Sequence, residues 1–465
     1  DDVQAALDVV LSDETDPYLQ QAASLALDRV IKSGEWRNIP EDDRLTQRLH
    51  VWLLLHEVDR DSLEWHALAL LLSDNPSFRF IATRAIADHE LHNLRDVLIK
   101  QLHSRSTSQA LFEATLAAIA KLDGVMDKWN KGLVGDWWHK QSKTYEIAAG
   151  LLTDASAPSS ARKWSLRILP PNHTSLDAKR LDELLTSPDE TLRAEAVLAV
   201  RNSTRLNDVQ RANRLLKIAQ DTMQPAAIRA EATIGLDATS AEQRSILVRL
   251  AQDSLATVRD EALRTLRGAA LDDSQRDTIS QLTATDPATA DLVAQVLSAS
   301  SPSPPLTRPL DEWLTMLEGP ADAEAGERIF FHPKGPGCYH CHMIEGRGRA
   351  IGPEFTRTAG KLGIDRRRLV ESILFPSKEI APAYVPWNII TTDGRALTGI
   401  FHRDNGRVRS FWDARGELFE VKVSDIEEML PQRGSIMPEN LAATMTTQEF
   451  RNLLAFLIGG GAHEK

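Results

Sequence analysis

One stretch of this 465-residue chain, Ser187-Pro188-Asp189-Glu190-Thr191-Leu192-Arg193-Ala194-Glu195-Ala196, occurs in three related copies. The other two are Gln224-Pro225-Ala226-Ala227-Ile228-Arg229-Ala230-Glu231-Ala232 and Asp253-Ser254-Leu255-Ala256-Thr257-Val258-Arg259-Asp260-Glu261-Ala262. Each copy contains an apolar residue followed by Arg, any residue, Glu and Ala. The shared arginines lie 36 and then 30 residues apart, the length of one helical hairpin. The pattern predicts stacked hairpins, with the shared Arg and Glu tying each hairpin to the next.

The same pattern continues in weaker form toward the start of the chain. Echoes occur at Ala161-Arg162, Asn75-Pro76 and Asp16-Pro17. Ser, Asp or Asn stands near each helix start, where it can cap the helix, and alanines permit close packing. Hydrophobic spacing of three and four residues predicts helices throughout residues 1–300. This part resembles HEAT repeats of the short bacterial kind, which implies a right-handed α-solenoid that serves as a binding surface or a spacer.

Composition excludes some classes of protein. The net charge is −12, which argues against a nucleic-acid partner. No apolar run reaches the roughly 20 residues that a membrane-spanning helix needs, so no transmembrane segment is expected. The chain begins Asp1-Asp2-Val3, without methionine or signal peptide, and we expect it to be a piece of something longer.

A proline- and serine-rich segment interrupts the helical pattern. Ser301-Pro302-Ser303-Pro304-Pro305, with Pro309 beyond it, predicts a short, stiff linker at 301–310. The remaining residues, 311–465, are expected to form a second domain.

The two cysteines of the chain lie in that second domain, within Cys338-Tyr339-His340-Cys341-His342. In this C-x-x-C-H spacing the thiols can add to the two vinyl groups of a haem while the histidine ligates the iron. A zinc site would need about four ligands, and no second cysteine pair exists. A thioredoxin-like pair would follow a strand, whereas Gly335-Pro336-Gly337 precedes this one. A disulfide across two residues would be strained. The motif therefore predicts one covalent haem c, and hence an exported protein.

The elements around the motif resemble a cytochrome c. A helix near Ala323 and a last helix through Phe450 would cross, as in that family, through a small residue and an aromatic, for which Gly326 and Phe330 are suited. The loop containing Gly352-Pro353 resembles the family's proline loop, which implies that the Pro353 carbonyl accepts the Nδ1 proton of His342. Methionine is the default sixth ligand. Met437, beside Pro438 in the loop before the last helix, is the expected one; the other methionines weighed are Met316, Met343, Met429 and Met445.

A β insert separates His342 from Met437. Asp393-Gly394, Asn405-Gly406 and Arg415-Gly416 are turn signals between apolar runs, and they predict a four-stranded antiparallel unit within 384–430. The insert, together with Pro376-Ser377 and Ser435-Ile436-Met437-Pro438, is similar to the haem-binding domain described for Planctomycetes and Verrucomicrobia. The resemblance spans about residues 322–458. Such domains commonly follow HEAT-like repeats and, further upstream, a β-propeller resembling sugar dehydrogenases, which is absent here.

The expected function is periplasmic electron transfer. Iron held by His342 and Met437 has no open site and can only exchange one electron. The expected partners are a dehydrogenase domain or protein as donor and a cytochrome as acceptor. Arg347, Arg349 and Lys361 are candidate partners for the haem propionates, whereas Arg366-Arg367-Arg368 is more simply a solvated helix face. Two alternatives remain open: a haem enzyme or gas sensor with an open sixth site, and a protein-binding scaffold.

Two further features have simple structural interpretations. His89-Glu90-Leu91-His92 spaces its histidines by three rather than the four of a zinc-protease signature, which favours a solvated helix end. Trp137-Trp138 beside His139 is expected to fill gaps between uneven repeats, with an exposed docking face as the alternative.

Overall fold

The structure is a computed structural model that describes residues 62–104, 107–124, 142–298, 308–355 and 365–459. The protein is mainly α-helical with a small antiparallel sheet, as the sequence predicts. The chain divides into two compact units, Asp1–Leu169 and Pro170–Lys465. The expected linker lies inside the second of these units, and most of it, residues 301–307, falls outside the described residues. No helix in the described ranges is long and apolar enough to cross a lipid bilayer.

The first unit contains six described helices that pack in pairs, α1 with α2, α3 with α4 and α5 with α6. Their buried face forms one apolar cluster that includes Leu70, Phe112 and Trp164. Asn75 caps α2 through its side chain, and Pro76 occupies the first turn. The bounds are Leu63–Leu71 (α1), Pro76–Asp88 (α2), Arg95–Ser104 (α3), Gln109–Leu122 (α4), Ser142–Thr153 (α5) and Ser159–Ile168 (α6).

The second unit begins with four helix pairs, and the second helices of successive pairs pack on one another. Side-chain caps recur on the first helix of each pair, for example Asn207 and Asp272, both in capping boxes. The bounds are Ala178–Leu185 (α7), Glu190–Asn202 (α8), Asp208–Gln220 (α9), Ala226–Ile234 (α10), Ala241–Leu250 (α11), Ala256–Thr265 (α12), Asp273–Thr285 (α13) and Ala290–Leu297 (α14).

Two of the three repeated arginines, Arg229 and Arg259, connect neighbouring helix pairs as expected, whereas Arg193 bonds the Ser187 and Pro188 carbonyls of its own repeat. Arg229, only 3% exposed, donates from Nε to the Ala219 carbonyl at 3.0 Å and from Nη2 to Asp253 at 2.5 Å. Asp253 belongs to the next copy of the repeat. The repeated Glu231 accepts from Arg201 of α8 at 2.5 Å. These residues therefore fix the stacking of the pairs.

The remainder of the second unit holds four described helices and seven strands. The helices are Leu310–Met316 (α15), Ala323–Phe330 (α16), Arg366–Leu374 (α17) and Thr447–Gly459 (α18). Helices α16 and α18 cross at Gly326, where an added Cβ would lie 2.0 Å from the Asn452 carbonyl oxygen and 2.8 Å from Cβ of Phe456. Phe330 meets Phe456 edge to face, with ring centroids 5.8 Å apart. The expected crossing through Gly326 and Phe330 is confirmed.

The β insert has five strands rather than the four expected. Its order is β6-β5-β4-β3-β7, all antiparallel. The missed strand, β7, pairs with β3 on the side opposite β4, and its alternation of apolar and polar residues is too weak to predict it. The bounds are Pro386–Thr391 (β3), Ala396–Asp404 (β4), Val408–Trp412 (β5), Leu418–Lys422 (β6) and Ile426–Pro431 (β7). Strands Met343–Ile344 (β1) and Arg347–Gly348 (β2) form a separate hairpin beside the cysteine motif.

A buried ionic cluster joins the helix pairs of the second unit to its C-terminal part. Arg264 of α12 donates from Nε to Glu449 of α18 at 2.5 Å, and Arg328 of α16 donates to Glu261 of α12 at 3.0 Å. Arg264 also pairs with Glu261, and Arg267 bonds both oxygens of Glu449 at 2.7 Å. Because each buried charge has an opposite partner, the cluster holds these three helices together.

Candidate functional site

The cysteine motif forms a single tight turn. Cys338–His340 is one turn of 3₁₀-helix, and Gly337 before it adopts φ +73°, a conformation that favours glycine. The backbone NH of His342 donates to the Cys338 carbonyl at 2.9 Å. The turn therefore brings both thiols and His342 together, whereas His340 is exposed with its ring against Tyr339.

The segment after the motif folds back over it. The NH groups of Ile351 and Gly352 both donate to the Cys341 carbonyl, at 3.0 and 2.7 Å. The hairpin of β1 and β2 makes this return possible, and at its end a Cβ on Gly348 would lie 2.2 Å from the His342 carbonyl oxygen. Only glycine fits so close an approach.

His342 is oriented by the expected hydrogen bond. Its Nδ1 lies 2.9 Å from the Pro353 carbonyl oxygen, so Nδ1 carries the proton and donates it, which leaves Nε2 with a free lone pair. Burial lowers the pKa of His342, against the opposing effect of the Pro353 bond, so the imidazole is neutral near pH 7. Phe355 flanks the ring at 4.8 Å between centroids. The result is an imidazole held in one orientation, with its Nε2 lone pair available.

Gly352 makes room for the His342 ring. A Cβ at this position would lie 2.6 Å from Cε1 and 2.9 Å from Nδ1 of His342. No role for Gly352 follows from the sequence, because the contact depends on the return of the chain across the motif.

Both thiols are in their protonated form. Burial raises the pKa of Cys338 to about 12 and also raises that of Cys341. Both cysteines are free. A redox-active or catalytic cysteine is normally a thiolate with a lowered pKa. The environment thus argues against a dithiol-exchange site.

Neither alternative zinc site has a ligand set. Within the described residues, no group of three or more His, Cys, Asp or Glu side chains could hold a metal ion. His89 and His92 do not share a helix, since α2 ends at Asp88 and Glu90 has φ +53°. The simple interpretation of these histidines, as a helix end, is therefore supported.

Met437 lies in the loop between β7 and α18. It is partly buried against the same apolar cluster that Cys338 and Phe355 pack on. The loop is anchored by Ser377, whose Oγ accepts from the Ser435 NH at 3.1 Å and donates to Glu439 at 2.9 Å. No sequence signal pointed to this anchoring role of Ser377.

Two of the other methionines share the apolar cluster of Met437: Met445 is buried within it and Met316 packs on it. Met343 is buried, and the sulfur of Met429 on β7 accepts from Arg409 on β5 of the same sheet at 3.5 Å. Each of these contacts is structural.

The basic side chains considered as partners for haem propionates lie in different environments. Arg347 forms an ion pair with Glu327 and lies over the Phe331 ring at 4.1 Å, so its charge is already balanced. Arg349 is exposed, and a Cβ added to Gly416 would lie 2.9 Å from its Nη1. Lys361 lies outside the described residues. The run 366–368 makes surface contacts with Leu317, Asp311 and Glu379, as expected of a helix face.

The β insert contacts the motif directly. At Gly416, in the turn between β5 and β6, a Cβ would lie 2.4 Å from the His340 carbonyl oxygen and 3.3 Å from Cδ1 of Ile351. Asp413 of the same turn contributes to the raised pKa of Cys341, after burial itself. The insert therefore covers one side of the cysteine turn. Trp137, Trp138 and His139 lie outside the described residues.

No protein-family model matches the chain, and no curated protein is similar to it. Among solved structures, human deoxyhypusine hydroxylase in complex with glycerol is similar at 16% sequence identity, over 57% of this chain and 94% of that chain, with a TM-score of 0.23. At this TM-score the similarity supports no inference about the fold or the function.

Proposed function

We propose that this chain is an exported electron-transfer protein that carries one covalent haem c. Cys338 and Cys341 would hold the macrocycle, and His342 and Met437 would ligate the iron. The proposal places the haem domain after a HEAT-like α-solenoid, with a dehydrogenase as electron donor and another cytochrome as acceptor.

The observation that carries the proposal is the geometry of His342. Its Nδ1 is bonded to Pro353, its Nε2 is free, and Gly352 leaves the ring unobstructed. Two free thiols lie in the same turn. Together these residues fit the donor set of a c-type haem. When bound, the haem would supply a one-electron couple.

The chain's own residues would control that couple. Pro353 holds the imidazole in one tautomer and strengthens it as a ligand. Ser377 anchors the Met437 loop, and a closed loop would keep solvent and substrates from the iron. The β5–β6 turn covers the cysteine side.

Covalent haem attachment is the first test. The chain is exported in cells that attach haem c, and its intact mass is measured after denaturation. We expect the mass of one haem in the wild type, its loss in the Cys338→Ser, Cys341→Ser double variant, and its retention in His340→Ala. A wild-type chain without haem under these conditions would refute the proposal.

The sixth ligand is tested separately by absorption of the ferric protein. We expect the weak long-wavelength band of methionine-ligated haem, which Met437→Leu should abolish and Met429→Leu should leave unchanged. A band that survives in Met437→Leu would remove Met437 from the ligand set. A wild-type spectrum of five-coordinate iron would instead favour a gas sensor or haem enzyme.

A further inference from the structure

A cavity of about 530 Å³ lies in the second unit, and neither the two cysteines nor His342 line it. Its wall is formed by the end of α8, the residues from the end of α10 to Thr239 with Arg244 of α11, the residues from the end of α12 to Ala270, and His332-Pro333-Lys334 before the cysteine motif. Its size is within the range of small-molecule sites.

The cavity wall is strongly cationic. Arg201, Arg244, Arg267 and Lys334 line it, against a single acidic residue, Asp237. His332 adds no charge, because burial first, and then the nearby arginines, hold its pKa well below the usual value. Since Arg201 and Arg267 are ion-paired with Glu231 and Glu449, the excess positive charge of the wall comes from Arg244 and Lys334, against Asp237, and it favours a negatively charged occupant.

Hydrogen bonds and ion pairs to other residues hold the three arginines of the cavity wall in position. Arg244 donates from Nη1 to the carbonyls of Ala238 and Thr239 at 3.1 and 3.2 Å. Arg201 is paired with Glu231, and Arg267 with Glu449. Because these bonds are already formed, the guanidinium groups need little reorganisation on binding a ligand.

We propose that this cavity binds a small organic oxyanion, a molecule bearing a carboxylate, sulfate or phosphate group. Guanidinium groups bind such oxyanions through charge-assisted, often bidentate hydrogen bonds. Ile234, Leu236 and Ala269 supply apolar wall for the organic part. The site uses none of the residues that would hold the proposed haem, and Lys334 stands four residues before Cys338 in the chain.

Isothermal calorimetry at low ionic strength on the full chain tests the site, with citrate and inorganic phosphate as probes and glycerol as the neutral control. We expect saturable binding of both anions, none of glycerol, and weakening as salt is added. Arg244→Gln and Lys334→Gln should each weaken binding about tenfold or more.

Arg249→Gln is the matched control, since this exposed arginine is also on α11 but does not line the cavity. It should bind like the wild type. Lys334→Gln should fold like the wild type, because the Lys334 ammonium makes no hydrogen bond or ion pair within the described residues. A loss of binding in this variant therefore reports on the cavity and not on misfolding. Absent binding, or equal binding by wild type and Lys334→Gln, would overturn the proposal, and neither result depends on haem attachment.

Discussion

At the scale of single residues, the candidate site depends on two glycines that allow parts of the chain to approach closely. Gly352 lies against the His342 ring and Gly348 against the His342 carbonyl. The residues next to Gly348 and Gly352 in the sequence do not indicate that either glycine contacts His342. The close grouping of Cys338, Cys341 and His342 was predictable from their short spacing, whereas the partner of His342, Pro353, was expected from the resemblance to cytochromes c.

Substituting Gly352 by alanine should displace the His342 ring. The added Cβ would lie 2.6 Å from Cε1, so either the ring or the loop must move. We expect the free energy of unfolding to fall by about 1–3 kcal/mol and the absorption spectrum of the proposed haem to change. Urea unfolding and absorption spectroscopy measure these effects.

Gly150→Ala is the control for this substitution. A Cβ there meets nothing within 4 Å, and Gly150 lies inside α5, so the change should stabilise by about 0.5–1 kcal/mol or have no effect. Equal behaviour of the two variants would contradict the role given to Gly352.

Asp260, a repeat residue on α12, makes stability depend on pH. Burial raises its pKa from 3.8 to about 6, while Arg264 and Arg259 oppose the rise. Since the folded pKa is the higher one, its contribution to stability is present below about pH 4 and is lost as the pH rises through about 6. Asp260→Asn should therefore be more stable than the wild type at pH 8, by about 1–3 kcal/mol, and little different at pH 4.

Urea unfolding at the two pH values measures this difference. Asp277→Asn, an exposed aspartate on α13, should change stability by less than about 0.5 kcal/mol at either pH. A gain in Asp260→Asn that is the same at pH 4 and pH 8 would show that the carboxyl is not the cause.

At the scale of elements, the helices followed from their hydrophobic spacing and the hairpins from their Asp-Gly and Asn-Gly turns. Strand β7 was missed because its alternation is weak and its partner, β3, precedes it by more than 30 residues. The sequence also did not predict the position of the insert beside the cysteine turn, because this position depends on the close approach of the Gly416 backbone to His340.

Gly416→Ala tests whether the β insert supports the cysteine turn. Gly416 and Gly406 have similar backbone angles, φ +73° and +82°, but a Cβ on Gly406 meets nothing within 4 Å. Both alanine variants should lose about 1 kcal/mol from the strained backbone. Only Gly416→Ala should also alter the absorption of the proposed haem, as measured by spectroscopy of the folded protein. If Gly406→Ala gave the same spectral change, the contact with His340 would be irrelevant.

At the scale of the whole molecule, the buried ionic cluster joins the helix pairs of the second unit to α16 and α18. Glu449 is 3% exposed and pairs with Arg264 and Arg267. Burial alone would raise its pKa, but the two arginines and the Thr446 NH outweigh burial and hold the pKa below 4.5.

Glu449→Gln should destabilise the protein by about 3–5 kcal/mol at pH 7, because two buried guanidinium groups lose their counter-charge. The carboxylate's contribution is present above its unfolded pKa of about 4.3 and is lost as the pH falls through the lower folded pKa. The difference between the two proteins, measured by urea unfolding, should accordingly shrink between pH 5 and pH 3.

Glu379→Gln provides the comparison. Both side chains of the ion pair between Glu379 and Arg368 are exposed, so the pair contributes at most about 1 kcal/mol to the free energy of unfolding. A loss in Glu449→Gln no larger than in Glu379→Gln would mean that the cluster does not hold the helices together.

The sequence by itself determined the helical class through its periodicity, and the contacts of Arg229 and Arg259 with the next repeat through its repeated motif. The crossing at Gly326 and the hydrogen bond from His342 to Pro353 were expected from the resemblance to cytochromes c, and the structure contains both. Only the tertiary structure decided the fifth strand, the Ser377 anchor, the cover that the insert provides and the cationic cavity. Each of these brings together residues far apart in the chain, and their positions depend on how packed elements meet rather than on local preference.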